Sequence, residues 1–339
     1  MNLTPFTTAL YDGDGTDAAR AIEATFAPDA LVRLCHPLGD MDPSGLADAY
    51  ATLRSAMPDF ERRVWIEMAG EDDHGAHWVG QGATIIGTFT APWLDIPPTG
   101  HLVHMRCHDF FRIEGGRVVE MQSIWDIPEL MMQAGAWPLA PSLGREWHVP
   151  GPTPQDGLGP HTPGTTARDR IKDMLDHLKK HPAQGGPEVM EMERFWHPRM
   201  TWYGPAGIGT GRGIQGFRDW HQIPFLAGMP DRGQYVDEIT YHFFGAGDYA
   251  AVTGWPNMIQ TITHPGWLGI APSGQRVTMR SLDFWRLEGD RIRENWVLVD
   301  MLHLYDQIGV DPLARMREFN KARTGFDPQT GLAVRESRL

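Results

Sequence analysis

Residues 109–117 read DFFRIEGGR and residues 283–291 read DFWRLEGDR, nearly the same nine residues 174 positions apart. Six of the nine are identical, and Phe111 to Trp285 and Ile113 to Leu287 exchange one apolar side chain for another. In each copy two β-patterned runs flank a Glu-Gly turn, at 114–116 and at 288–290, as in a hairpin. The same offset aligns 93–135 with 267–309 without a gap, and 19 of those 43 positions are identical. Average composition would give roughly three. Upstream the offset pairs Gly80 with Gly254, and small shifts pair residues 57–59 with 229–231 and 26–30 with 196–200. A duplicated domain explains this series; a chance hairpin does not.

Between the copies, residues 137–166 hold seven prolines and five glycines, a composition that suits a linker over the surface and no regular element. The expected organisation is a first domain over 1–137, a Pro/Gly-rich linker over 138–166, a second domain over 167–320 and a tail over 321–339. Two domains also suit 339 residues.

Composition excludes several function classes. A formal net charge of −13 argues against a non-specific nucleic-acid binder, because phosphate contacts need a basic surface. No apolar run is long enough to span a membrane. The start, MNLTPFTTALYDGDG, has neither the basic nor the apolar part of a signal peptide. Two cysteines, Cys35 and Cys107, fit a reducing compartment and a cytoplasmic protein. Thirteen tryptophans and seventeen methionines suit large apolar walls, in a core or in a pocket.

Apolar residues recur every three or four positions over 18–26 and 168–178, which predicts a helix at the head of each copy. RRVWIEMAG, GAHWVGQGATIIGTF, HLVHMRCHDFFRIEGG and RVVEMQSIWD then read as strands. Helices followed by a meander of long antiparallel strands is an α+β layout, with the helices on one face of a curved sheet. The series Trp93, Leu94, Ile96, Pro98, Gly100, then Asp109, Phe110, Arg112, Gly115, Glu120, Asp126 and Gln133-Ala134-Gly135 resembles the SnoaL-like polyketide cyclase family. Trp267, Gly274, Asp283, Arg286, Gly289, Glu294, Trp296, Asp300 and Gln307-Ile308-Gly309 repeat it, over about two thirds of each copy. The resemblance implies two tandem cone-shaped domains of the nuclear transport factor 2-like superfamily. Because single-domain relatives dimerise through their sheets, it also implies an intrachain pseudo-dimer, with a homodimer as a further arrangement.

It further implies an enzyme without cofactor or metal, acting by general acid/base catalysis on a small, largely apolar carbonyl compound. Asp126 and Asp300 match the family's acid/base aspartate. One carboxylate in an apolar cone can remove a proton beside a carbonyl and return it to the new alkoxide, if desolvation raises its pKa. The competing reading makes both aspartates helix N-caps, since Asp126-Ile-Pro-Glu129 has the form of a capped start. On that reading the protein is a non-catalytic binding or interaction module. Gln122 and Trp296 share the strand face of these aspartates, and Trp93 and Trp267 open the aligned block. All four are candidate pocket residues, as is His303 one turn past Asp300. Asp109 and Asp283 interrupt otherwise apolar strand stripes, a substrate contact or a buried partner for an arginine such as Arg112 or Arg286. His104, Arg106 and His108 lie on the opposite strand face, a weak signal for metal. WYGPAGIGTGRGIQGF (202–217) resembles the family's glycine-rich opening more than LGDMDPSGLADAY (38–50) does. The second copy is therefore expected to keep the better pocket. No P-loop Lys-Ser/Thr pair and no Gly-x-Ser-x-Gly motif occurs.

Overall fold

The computed structural model describes residues 2–321, together with the backbone of 324–326 and 333–335. Beyond Lys321 and those two short segments, the expected tail lies outside the described residues. In the first half α1 (Thr4–Tyr11) and α2 (Gly15–Thr25) precede β1 (Phe26–Leu34), β2 (Gly39–Met41) and α3 (Pro43–Ala56). Four long strands follow: β3 (Glu61–Glu71), β4 (His77–Thr88), β5 (Leu102–Glu114) and β6 (Arg117–Trp125), closed by α4 (Ile127–Gln133). The helix starts are written locally. Asp14 and Asp17 form a reciprocal capping box on α2, and Asp42 precedes Pro43 and accepts the Gly45 N–H to cap α3.

The second half repeats the plan with interruptions. α5 (Thr166–Leu178) and the short α6 (Met192–Phe195) lead into β7 (Trp196–Tyr203) and β8 (Thr210–Arg212). α7 (Gly213–Phe217), a π-helical turn over Arg218–Gln222 and α8 (Ile223–Gly228) stand where the first half has the single helix α3. Then come β9 (His242–Ala246), β10 (Tyr249–Thr253), β11 (Met258–Thr261), β12 (Arg276–Met279), β13 (Ser281–Glu288), β14 (Arg291–Val299), α9 (Met301–Gln307) and α10 (Pro312–Asn320).

Each half holds a six-stranded sheet, ordered β2-β1-β6-β5-β4-β3 and β8-β7-β14-β13-β10-β9. Both are antiparallel except at one parallel pair, β1 with β6 and β7 with β14. The repeated hairpin appears in both. Gly115 and Gly116 take φ of +56° and +78°, and Gly289 alone takes +65°. The first turn needs left-handed backbone at both central positions, so Asp can replace its second glycine only in the other turn type, where that position has negative φ. These are two curved α+β cones of the nuclear transport factor 2-like type. Among the described residues no helix is long and apolar enough to cross a membrane.

The sheets pack against each other through the faces turned away from their own helices. On β5 the inward residues include Phe111, whose ring meets Phe6 at 5.7 Å, whereas its neighbour Phe110 stacks on Phe284 of β13 at 5.0 Å. Alternation on one strand thus serves both the helix-covered face and the seam. Phe110 also meets Phe244 at 5.9 Å, and His108 Nδ1 lies 2.7 Å from the Leu282 carbonyl oxygen. The linker closes one side of this seam, where the Trp296 indole donates to the Pro150 carbonyl at 2.9 Å and Thr153 Oγ1 donates to Glu294 at 2.9 Å. Because one apolar core is shared by both sheets, urea unfolding followed by tryptophan fluorescence and by circular dichroism should give one coincident transition. Phe284→Ala should lower stability by about 3–5 kcal/mol without splitting that transition.

Candidate active site: a cavity in the second cone

The concave face of the second sheet encloses a cavity of about 340 Å³ and an adjoining chamber of about 100 Å³. Leu175, Arg232, Met258, Ser281, Asp283 and Trp285 line both. The inner chamber is walled by aromatic side chains, among them Trp202, Phe225 and Trp267. The mouth lies between α5 and the β3–β4 turn of the first domain, whose Asp73 and His74 line it. That turn is pinned there: Asp73 pairs with Arg168 at 2.9 Å and Lys172 at 2.5 Å, and Asp72 meets His242 at 2.7 Å.

Three departures from the first half open this space. First, the long pairing of β4 with β5 is broken in the second copy between β10 and β11 and between β12 and β13. At the break the Asn257 side chain replaces backbone pairing, donating to the Ser281 carbonyl at 2.7 Å and accepting the Ser281 N–H at 2.9 Å. Second, β9 is five residues long where β3 has eleven, and residues 232–241 form an irregular loop instead of a strand. Third, α3 places Tyr50 in the first cone, against Trp125 at 5.1 Å, whereas the π-helical turn places His221 flat on Trp202 at 4.1 Å. Such turns insert one extra residue and occur often at functional positions.

In the first cone the corresponding space is filled. Asp109 and Arg62 are both 0% exposed and form an ion pair, with Arg62 Nε 3.0 Å from the carboxylate. Gln81 accepts from the same guanidinium at 2.8 Å, and Ser123 donates to the other carboxylate oxygen. The arginine expected to pair with Asp109 was Arg112, and this is corrected. Residues three apart on a strand face opposite ways, so Arg112 turns to Glu120 at 3.2 Å while Arg62 crosses from β3. Arg286 likewise pairs with Glu294, at 2.6 Å. Among the described residues Asp283 has only the Ser281 hydroxyl as donor, at 2.5 Å.

The electrostatics differ accordingly. Burial pushes the Asp283 carboxyl up to about 7, against the lowering effects of the Ser281 hydroxyl and the charge of Arg232. Burial also holds His221 down at about 3, so its ring is neutral. Behind the cavity wall, several buried polar atoms have no partner among the described residues: His221 Nδ1, Gln222 Oε1, Gln260 Oε1 and the indole nitrogens of Trp196, Trp267 and Trp285.

The candidate residues separate into three places. Asp283 and Trp267 line the cavity. Asp109 and Trp93 are buried in the first cone, Trp93 against Trp125 at 6.1 Å. Asp126, Asp300, Gln122, Trp296 and His303 lie along the seam between the domains and line neither chamber. Gln122 accepts from Thr253 of the second domain at 2.5 Å, and Trp296 stacks on Tyr203 at 5.5 Å and meets Trp65 of the first domain at a tilt, at 5.7 Å.

The two seam aspartates make matching contacts. Asp126 accepts the Ala206 N–H of the second domain at 2.9 Å and faces Arg106 at 3.5 Å. Asp300 accepts the His36 N–H of the first domain at 3.0 Å and faces Arg280 at 3.2 Å. Asp300 also caps α9 through the His303 N–H at 3.1 Å; Asp126 makes no such cap. Burial, then the neighbouring Glu129, lifts Asp126 to about 7; burial also raises Asp300. His303 is held down at about 4 by burial, then by Arg280. Arg232, His221 and Asn257 were not singled out from the sequence. One signal existed: the repeat sets Arg232 against Phe60, just after the shared Met-Pro-Asp.

No curated protein matches the chain. Similar solved structures include IdmH of Streptomyces antibioticus, 23% identical over 39% of this chain and 95% of its own, with a TM-score of 0.34. AclR of Streptomyces galilaeus is 20% identical over 39% and 91%, with a TM-score of 0.33. TsrD of Streptomyces laurentii is 22% identical over 39% and 91%, also at 0.33. The family model described as SnoaL-like polyketide cyclase matches residues 7–134 and 187–308, one stretch for each sheet. With most of the sequence inside those two stretches, the chain belongs to the SnoaL-like polyketide cyclase family and carries the family's domain twice.

Proposed function

We propose that the second cone is a cofactor-independent acid/base site for a small, largely apolar carbonyl compound, with Asp283 as the proton-transfer group. The supporting observation is a desolvated carboxyl with one hydroxyl donor on the wall of an aromatic cavity. Ionised Asp283 takes a proton from the carbon beside a carbonyl, leaving an enolate. The enolate carbon forms a bond to a second carbonyl carbon of the same molecule, and the resulting alkoxide takes the proton back from Asp283. A pKa near the working pH populates both the accepting and the donating form. Isomerisation or dehydration would use the same group.

Under this reading Asp126 and Asp300 are clasps. Each receives a backbone N–H from the other domain and an arginine from its own, and the first cone serves as support.

The proton-transfer role is tested without knowing the substrate, by following α-deuterium exchange of 2-acetylnaphthalene in heavy water. The protein should accelerate exchange, and Asp283→Asn should lower the protein-dependent rate about 10²–10⁴-fold. The wild-type rate should rise with pH through about 7 and then level, as Asp283 becomes the carboxylate. The ionisable groups facing it from other elements are Arg232, Tyr241 and His221, with Lys172, Asp176 and Lys179 nearer the mouth. Equal exchange by wild type and Asp283→Asn would remove Asp283 from the role.

The clasp role has a separate signature in stability. Asp126 has a folded-state pKa of about 7, above that of a free aspartate at about 3.9. Its contribution is therefore fully present below the lower value and is lost as pH rises through the upper one. Asp126→Asn should flatten the decline in urea stability over that window and leave ketone exchange near wild type.

A further inference from the structure

Among the described residues, one cation on the cavity wall is paired with no side chain. Arg232, in the loop between α8 and β9, lines both chambers, yet its guanidinium makes neither a hydrogen bond nor an ion pair with any described residue. The other cations at the cavity are matched: Lys172 with Asp73 at 2.5 Å and Lys179 with Asp176 at 2.9 Å. Asp283 and Tyr241 are close enough for their charges to act on Arg232, but neither pairs with it.

The contrast with the first cone is direct. There the aspartate at the repeat-equivalent position pairs with Arg62, whose Nε and Nη2 both reach one carboxylate oxygen. In the second cone the aspartate and an arginine share one cavity without meeting. Arg232 is half-buried, and the planar set of donors on its guanidinium matches a carboxylate. Two chambers of about 340 and 100 Å³ suit a compact ring system.

Resting on the reading of this cavity as the substrate site, we propose that its substrate is an organic anion: an apolar ring skeleton whose carboxylate docks on Arg232 and whose reacting carbonyl lies beside Asp283. Arg232 is thus the residue that selects charged over neutral ligands.

Tryptophan fluorescence titration of the full chain tests this with two probes of equal shape, 2-naphthoate and the neutral ketone 2-acetylnaphthalene, at fixed salt. The wild type should bind naphthoate about tenfold more tightly than the ketone. Arg232→Gln should bring that ratio to about one, and Arg232→Lys should restore part of it; circular dichroism confirms that each variant is folded. Equal wild-type affinities, or a ratio unchanged by Arg232→Gln, would overturn the anion assignment and leave the site standing. Failure of naphthoate to bind would overturn the anion assignment, and failure of both probes would overturn the site as well.

Discussion

Phe110 stacks on Phe284 at 5.0 Å where the two sheets meet, and that contact decides what the remaining surfaces can do. With the outer faces joined, each sheet is buried on both sides, so apolar and polar side chains alternate between two interiors and not between interior and water. The seam then needs its own polar satisfaction. Asp126 and Asp300 supply it in matching positions, each holding a backbone N–H of the other domain beside an arginine of its own. Ion pairs this deep stabilise little in themselves, because desolvation offsets the attraction. Their geometry, however, fixes how one cone sits on the other.

The same duplication let the two concave faces diverge. In the first cone a full-length β3 carries Arg62 over Asp109, and Tyr50 of α3 packs beside it against Trp125. In the second cone half of that strand is a loop, the pairing of the central strands is interrupted at Asn257, and a π-helical turn shifts the aromatic wall. An aspartate that is a closed ion pair in one copy faces a cavity in the other. The β3–β4 turn of the first copy also shapes the mouth of the cavity in the second.

Much of this was legible in the residues. The 174-residue offset and its nineteen identities give the tandem organisation, and alternation along β5 and β13 put Asp109 and Asp283 on apolar stripes. What periodicity could not supply was which buried face looks at a ligand. Gln122 and Trp296 share a strand face with a candidate aspartate, but that face belongs to the seam, where Trp296 meets Tyr203 and Trp65. The occupant opposite each stripe aspartate was equally hidden, because Arg62 and Arg232 come from other elements and only the fold sets one against its carboxylate and the other away from it. Asn257 acts only because a strand breaks beside it, and no local pattern marks that break.

Small molecules are expected to enter the second cone and meet Asp283, with the first cone and the seam closed to them. A crystal structure of the full chain with 2-acetylnaphthalene bound tests it most directly. The ketone is expected in the second cone, between the aromatic wall and α5, with its oxygen or methyl carbon in contact with Asp283. Ligand found against Asp126 or Asp300, or in place of the Arg62–Asp109 pair, would contradict the account.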